Sequence, residues 1–163
     1  MMALSAEQVL QQEYGLELDS FSAEDAVTFG MKVLEISGER SKYIVVAVRR
    51  NGKLLFYKAG ADTVIAQDEL IRRKTNAVNR QGHSSLYLFL KYDGDEQAFC
   101  QVYDVSPEDC ALHGGCFPIK LRNTKVVGTV AVTGLTAEEN HLLCLQALSF
   151  IKRRQSEGEI PVL

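Results

Sequence analysis

The chain has 163 residues, of which 46% are apolar and 24% charged, with a formal net charge of −3. That length suits one domain with one core, and the acidic balance gives no footing for nucleic acid, which needs a clustered basic face. No apolar run reaches a membrane span. The first twelve residues lack the basic start and continuous apolar stretch of a secretory signal, so the cytoplasm is the expected compartment, with Cys100, Cys110, Cys116 and Cys144 reduced.

Residues 1–20 read as an N-terminal extension, a short helix with Val9 and Leu10 on one side and a loop that covers the core. A helix is predicted from Ser22, whose hydroxyl pairs with Asp25 in a capping box, with Phe21 as a hydrophobic staple. Ala26, Phe29, Val33 and Ile36 form its buried face, and Gly38 is a candidate residue just past its end. Residues 43–48 are a β-rich run with little polar alternation, which predicts a central strand covered on both faces. Asn51-Gly52 then turns the chain into a return strand over 54–59, because a type I′ hairpin needs positive φ at both central residues.

After a loop, a second helix is predicted over 67–81, with Leu70, Ile71, Lys74, Ala77 and Val78 inside and Gly82 at its end. Its Arg72-Arg73-Lys74 run is either a solvated face or an anion clamp. A strand is expected over 86–91, and residues 96–105 suit either a helix or a bent strand. Ser106-Pro107-Glu108-Asp109 combines a serine cap, a proline and first-turn acids, which predicts a short helix stopped by Gly114-Gly115. Strands follow over 116–121 and 126–133. The last helix starts at Thr136, which forms a second capping box with Glu139. Its apolar positions, from Leu142 to Ile151, make a band wider than one sheet contact demands, which suggests a homo-oligomer. The order of elements gives an α+β domain, a central antiparallel sheet with helices packed on it. The domain is expected over 21–155, followed by a tail over 156–163.

Several motifs then occur together and in order: Arg50-Asn51-Gly52-Lys53-Leu54-Leu55-Phe56, Ile71-Arg72-Arg73-Lys74, Ser84-Ser85, His113-Gly114-Gly115-Cys116-Phe117-Pro118-Ile119 and Gly134-Leu135-Thr136-Ala137-Glu138-Glu139-Asn140-His141. In these the chain resembles the UPF0303 group of the GlcG/HbpS-like (DUF336) superfamily, over about residues 21–151. The resemblance implies a profilin-like fold, oligomerisation, and haem or another small ligand. The chain departs from the family at Ala66-Gln67 and Leu70, where relatives commonly carry an Asp-Asn pair and a tryptophan, and at Asn140, where they carry an aspartate.

Three chemistries are open to these residues. His113 with Gly114, Gly115, Arg73, Lys74 and His141 suits a binding site for an anionic, partly apolar ligand. An imidazole can ligate haem iron, basic side chains can pair with carboxylates, and a glycine pair allows close approach. The alternative role of the same histidine is a hydrogen bond within the turn. His141, in the first turn of a helix, is expected to be neutral. Cys110, His113 and Cys116 have a spacing that zinc could use, without an evident fourth ligand. Ser84 or Ser85 with His113 would make a triad, although no nucleophile elbow surrounds them. The leading expectation is an oligomeric small-ligand-binding protein. The alternatives are an enzyme acting on haem or a small organic acid with His113 as acid/base, and an interaction module that uses the last helix. No nucleic acid or membrane partner is expected.

Overall fold

A computed structural model describes residues 3–123 and 125–157. The elements are α1 (Ala6–Tyr14), α2 (Ala23–Ser37), β1 (Val45–Arg50), β2 (Lys53–Ala59), α3 (Ile65–Gln81), α4 (Ser85–Lys91), α5 (Glu96–Tyr103), β3 (Cys116–Lys120), β4 (Val126–Thr133) and α6 (Ala137–Ser156). The four strands form one antiparallel sheet in the order β2-β1-β4-β3. The fold is therefore α+β, with helices on both sheet faces. Asn51 and Gly52 both take positive φ, as the β1–β2 turn requires.

Strand period two divides the core. Val46 and Val48 of β1 point to one face, with Val130 and Val132 of β4, and pack against Phe29 and Val33 of α2 and Leu143, Ala147 and Leu148 of α6. Val45, Ala47 and Ala131 point to the other face, against Ile71 and Val78 of α3. A third cluster joins Ala77 of α3 to Leu88 of α4, Phe99 of α5 and Leu112. The N-terminal segment is tied into this body. Val9, Leu16 and Leu18 are buried, and Leu18 bridges in parallel to Leu121.

Both capping boxes form, at Ser22/Asp25 and at Thr136/Glu139. The ambiguous stretch 96–105 resolves to the helix α5, which runs up to Tyr103, is capped by Asp95 at the Ala98 N–H and ends at Asp104 with positive φ. Gly38 and Gly82 end α2 and α3 with positive φ. The expected tail falls mostly on residues 158–163, which lie outside the described residues, as do Met1 and Met2 of the extension.

Three local expectations are corrected. Residues 86–91 form a helix rather than a strand. Their short apolar run carries no period that separates the two, and the Ser84 hydroxyl accepts the Tyr87 N–H and starts a helical turn. Residues 106–109 form a turn rather than a helix, because α3 draws off the carbonyls that a helix would use. Arg73 takes those of Pro107 and Cys110, Arg72 that of Glu108 and Asn76 that of Asp109. Ile36 is 40% exposed, since the buried stripe of α2 runs through Ala26, Phe29, Gly30 and Val33. The apolar band of α6 is largely used within the chain, with Leu143, Leu148 and Ile151 buried and Leu142 at the rim.

Candidate functional site

The three basic residues of α3 stand at consecutive positions, so a helix spreads them over about 200° of its circumference. Arg72 lies on the outside, bonded to Glu69, Asp109 and the Glu108 carbonyl. Arg73 reaches under the 107–110 turn, and its Nε is buried without a hydrogen-bond partner. Lys74 points straight into the protein and is fully buried.

The Lys74 ammonium donates to the Gly114 carbonyl at 3.1 Å and to the Val132 carbonyl at 2.7 Å. It forms no ion pair with an acid among the described residues. Burial pulls its pKa down to about 8, and only the Cys116 and Cys144 thiols oppose that. A buried cation without a counter-charge is costly. Its geometric effect is to pin the His113-Gly114-Gly115 turn to β4.

The two glycines are needed on the inner side of the same turn. Gly115 has φ +115, and a Cβ there would run into the Val132 carbonyl and lie 3.0 Å from the Lys74 Nζ. A Cβ on Gly114 would run into the Ala137 carbonyl at the start of α6. The close approach that this glycine pair permits is therefore protein against protein. His113 itself is half-buried, with its Nδ1 inside and without a hydrogen-bond partner. Burial, helped by the Lys74 charge, lowers its pKa, while the Gly114 carbonyl, Glu138 and Glu96 pull weakly the other way. Burial and the Lys74 charge thus favour a neutral imidazole, held on the glycine turn with part of the residue exposed.

His141 occupies a different environment. It is fully buried, its ring is 4.7 Å from that of Phe117, and its Nε2 meets the Gln12 Oε1 at 2.7 Å. Burial lowers its pKa to about 4. The structure thus brings Lys74, Gly114, Gly115 and His113 together, turns Arg73 away from them onto the carbonyls of the 107–110 segment, and places His141 in a packed pocket against α1.

The cysteines do not converge. Cys110 packs with Cys100 beside Phe99, whereas Cys116 packs in the sheet core, 3.8 Å from the Thr75 hydroxyl. All four are free and buried, and burial raises the Cys116 thiol to about 11. Among the described residues, no three His, Cys, Asp or Glu side chains gather to hold a metal ion. The Ser84 or Ser85 triad with His113 considered above does not form either. The Ser84 hydroxyl donates to Glu13, the Ser85 hydroxyl accepts the Cys116 N–H, and both serines are fully buried.

Two residues that sequence reasoning passed over matter here. Glu13 is buried at 4% exposure and accepts from the Ser84 N–H and hydroxyl while meeting the His83 Nδ1 at 2.9 Å. Gln12 holds His141. Neither could be found locally, because their partners lie 70 to 129 positions away. Among the described residues, no helix is long and apolar enough to cross a membrane.

A four-stranded antiparallel sheet with a glycine turn clamped by a buried lysine defines a class of α+β domain, and comparisons with known proteins place it. Residues 21–149 match the family described as "Haem degrading protein HbpS-like". UPF0303 proteins align over most of their length. That of Streptomyces avermitilis is 36% identical over 84% of each chain, and that of Azotobacter vinelandii is 34% identical over 88% of this chain and 86% of its own. That of Lactiplantibacillus plantarum is 30% identical over 95% of this chain and all of its own. The chain belongs to the HbpS-like family.

Among solved structures, the Ybr137w protein superposes with a TM-score of 0.83 at 26% identity, over 93% of this chain and 90% of its own. HbpS superposes with a TM-score of 0.63 at 17% identity, over 80% of this chain and 89% of its own. A PduOC chain crystallised as a haem complex gives a TM-score of 0.60 at 14% identity, over 80% and 94%. The last two establish likeness of fold.

Proposed function

We propose that this protein is a cytoplasmic, oligomeric small-ligand-binding protein whose ligand docks at the His113 turn, and that haem or a related anionic tetrapyrrole is the first ligand to test. The observation that carries this reading is His113: a half-buried imidazole, lowered in pKa by burial, whose Nδ1 is buried without a hydrogen-bond partner. Neutral imidazole is the form that ligates iron. The family description and the haem-bound PduOC structure support the choice of ligand.

The donor chemistry fits haem at one atom, the His113 Nε2. Its ring is backed by the Gly114-Gly115 turn, which Lys74 holds from behind. Bound haem would supply iron for axial ligation there. The carboxylate-pairing set differs from the expected one, since the Arg73 Nη2 is held by the Pro107 and Cys110 carbonyls and Lys74 is sealed beneath the turn. Lys74 then acts on an anionic ligand through its charge, in a low-dielectric interior that screens it little.

A hemin titration followed by absorbance, on wild type and His113→Ala side by side, tests the reading. A saturable, stoichiometric Soret shift that the variant lacks is the expected result. The same weak shift in both proteins would remove haem from this site.

A further inference from the structure

The α3 side of the sheet is covered only in part. α3 rests mainly on β4 and β3, and the β1–β2 hairpin beyond it stays open. Between that hairpin and the outer edge of α3 lies a groove of about 330 Å³. This is within the size range of small-molecule sites, whose lower end is about 300 Å³.

A bulge shapes this groove. Ala47 pairs with Tyr57, and the register then shifts after Val48, so that Arg49 stands opposite Leu54. The extra residue turns Leu54 onto the same face as Ala47, Arg49 and Tyr57, which is what a bulge next to a binding site achieves. Leu54 and Tyr57 are 47% and 45% exposed there, facing Ile71 of α3.

The charges in the groove are unequal. Arg72, on its helix wall, is spent on Glu69, Asp109 and the Glu108 carbonyl. Asp68 accepts the Tyr57 hydroxyl at 2.6 Å, which fixes the ring across one end. Arg49 has one bond, to the Gly52 carbonyl at 3.1 Å, and pairs with no acid among the described residues. Beside the polar wall of Thr75, Asn76 and Asn79, the groove therefore presents an apolar strip of Ala47, Leu54 and Ile71, an immobilised aromatic edge and a guanidinium paired with no acid among the described residues, whose planar fork matches a carboxylate.

We propose that this groove is a second binding site, for a small carboxylate with a flat apolar body. The carboxylate lies on Arg49, and the body lies over Ala47, Leu54 and Ile71 beside Tyr57. The site shares no lining residue with the His113 turn, so it stands or falls independently of the haem reading.

The test is a ¹H–¹⁵N NMR titration with sodium benzoate, run in parallel with neutral benzyl alcohol, on wild type and on Arg49→Gln. Arg49 is exposed, so the variant keeps the fold. For a ligand of this size the expected affinity is about millimolar. The expected result is saturable shifts confined to amides around Ala47, Arg49, Leu54 and Tyr57, at least fivefold weaker binding in Arg49→Gln, and no saturation with benzyl alcohol. Equal binding by the variant or by the alcohol would overturn the proposal, as would shifts centred elsewhere. Concentration-dependent shifts of the same amides without benzoate, abolished by Leu54→Glu, would assign the groove to a second copy of the chain and also overturn it.

Discussion

His113 and His141 make an instructive pair. Both lie close to the start of α6, both have an Nδ1 that is buried without a partner, and both are pushed toward the neutral form by burial. They differ in what meets the rest of the ring. Gln12 of α1 and the Phe117 ring enclose His141, and its exposure is zero. His113 stands half exposed on a turn that Lys74 holds at the Gly114 carbonyl and that packs closely against the Ala137 carbonyl. The same side chain is thus sealed in packing in one place and half exposed on a turn in the other, and long-range packing makes the difference.

The sharpest way to break this contrast is to disturb the support of the turn. Gly115→Ala combines a positive φ with a collision against β4 and should cost about 4 kcal/mol, read as a lower urea midpoint with an unchanged slope. Lys74→Ala leaves the Gly114 and Val132 carbonyls unpaired and opens a cavity. We expect a loss of about 3 kcal/mol, together with loss of hemin binding at His113, checked by thermal melting and absorbance.

Acid sharpens the other half. The folded value of His141 is about 4 and its ordinary value is 6.5. Between these the unfolded chain takes up a proton that the native pocket refuses, so stability is complete above pH 6.5 and falls as the pH drops toward 4. By pH 5 the loss should reach about 2 kcal/mol, measured by urea unfolding at each pH. The same pH dependence in His141→Gln would assign the effect to other groups. The smallest effect belongs to His113→Ala. With the residue half exposed and its Nδ1 unpaired, it should change stability by less than about 1 kcal/mol while abolishing the hemin spectrum.

Much of the fold was legible in the sequence, for reasons that particular residues show. The capping boxes at Ser22 and Thr136, the Asn51-Gly52 turn and the valine-rich β4 are local devices, and local patterns report them faithfully. The misreading at 86–91 arose because its short apolar run carries no distinguishing period, and the one at 106–109 arose because partners came from afar. In the second case α3 side chains captured carbonyls 34 to 37 positions away from a sequence that otherwise reads as a helix start.

The candidate site divides in the same way. The sequence alone singled out His113, Gly114, Gly115, Arg73, Lys74 and His141, and it put Lys74 on the inner side of its helix. It could not say that the ammonium spans from α3 to both the glycine turn and β4, or that Arg73 would be consumed by the 107–110 turn. Element types, turn chemistry and family membership follow from short-range backbone preferences and motif order. Which histidine is sealed, which arginine is spent and where a groove stays open depend on contacts between residues far apart in the chain, and only the packed tertiary structure decides those.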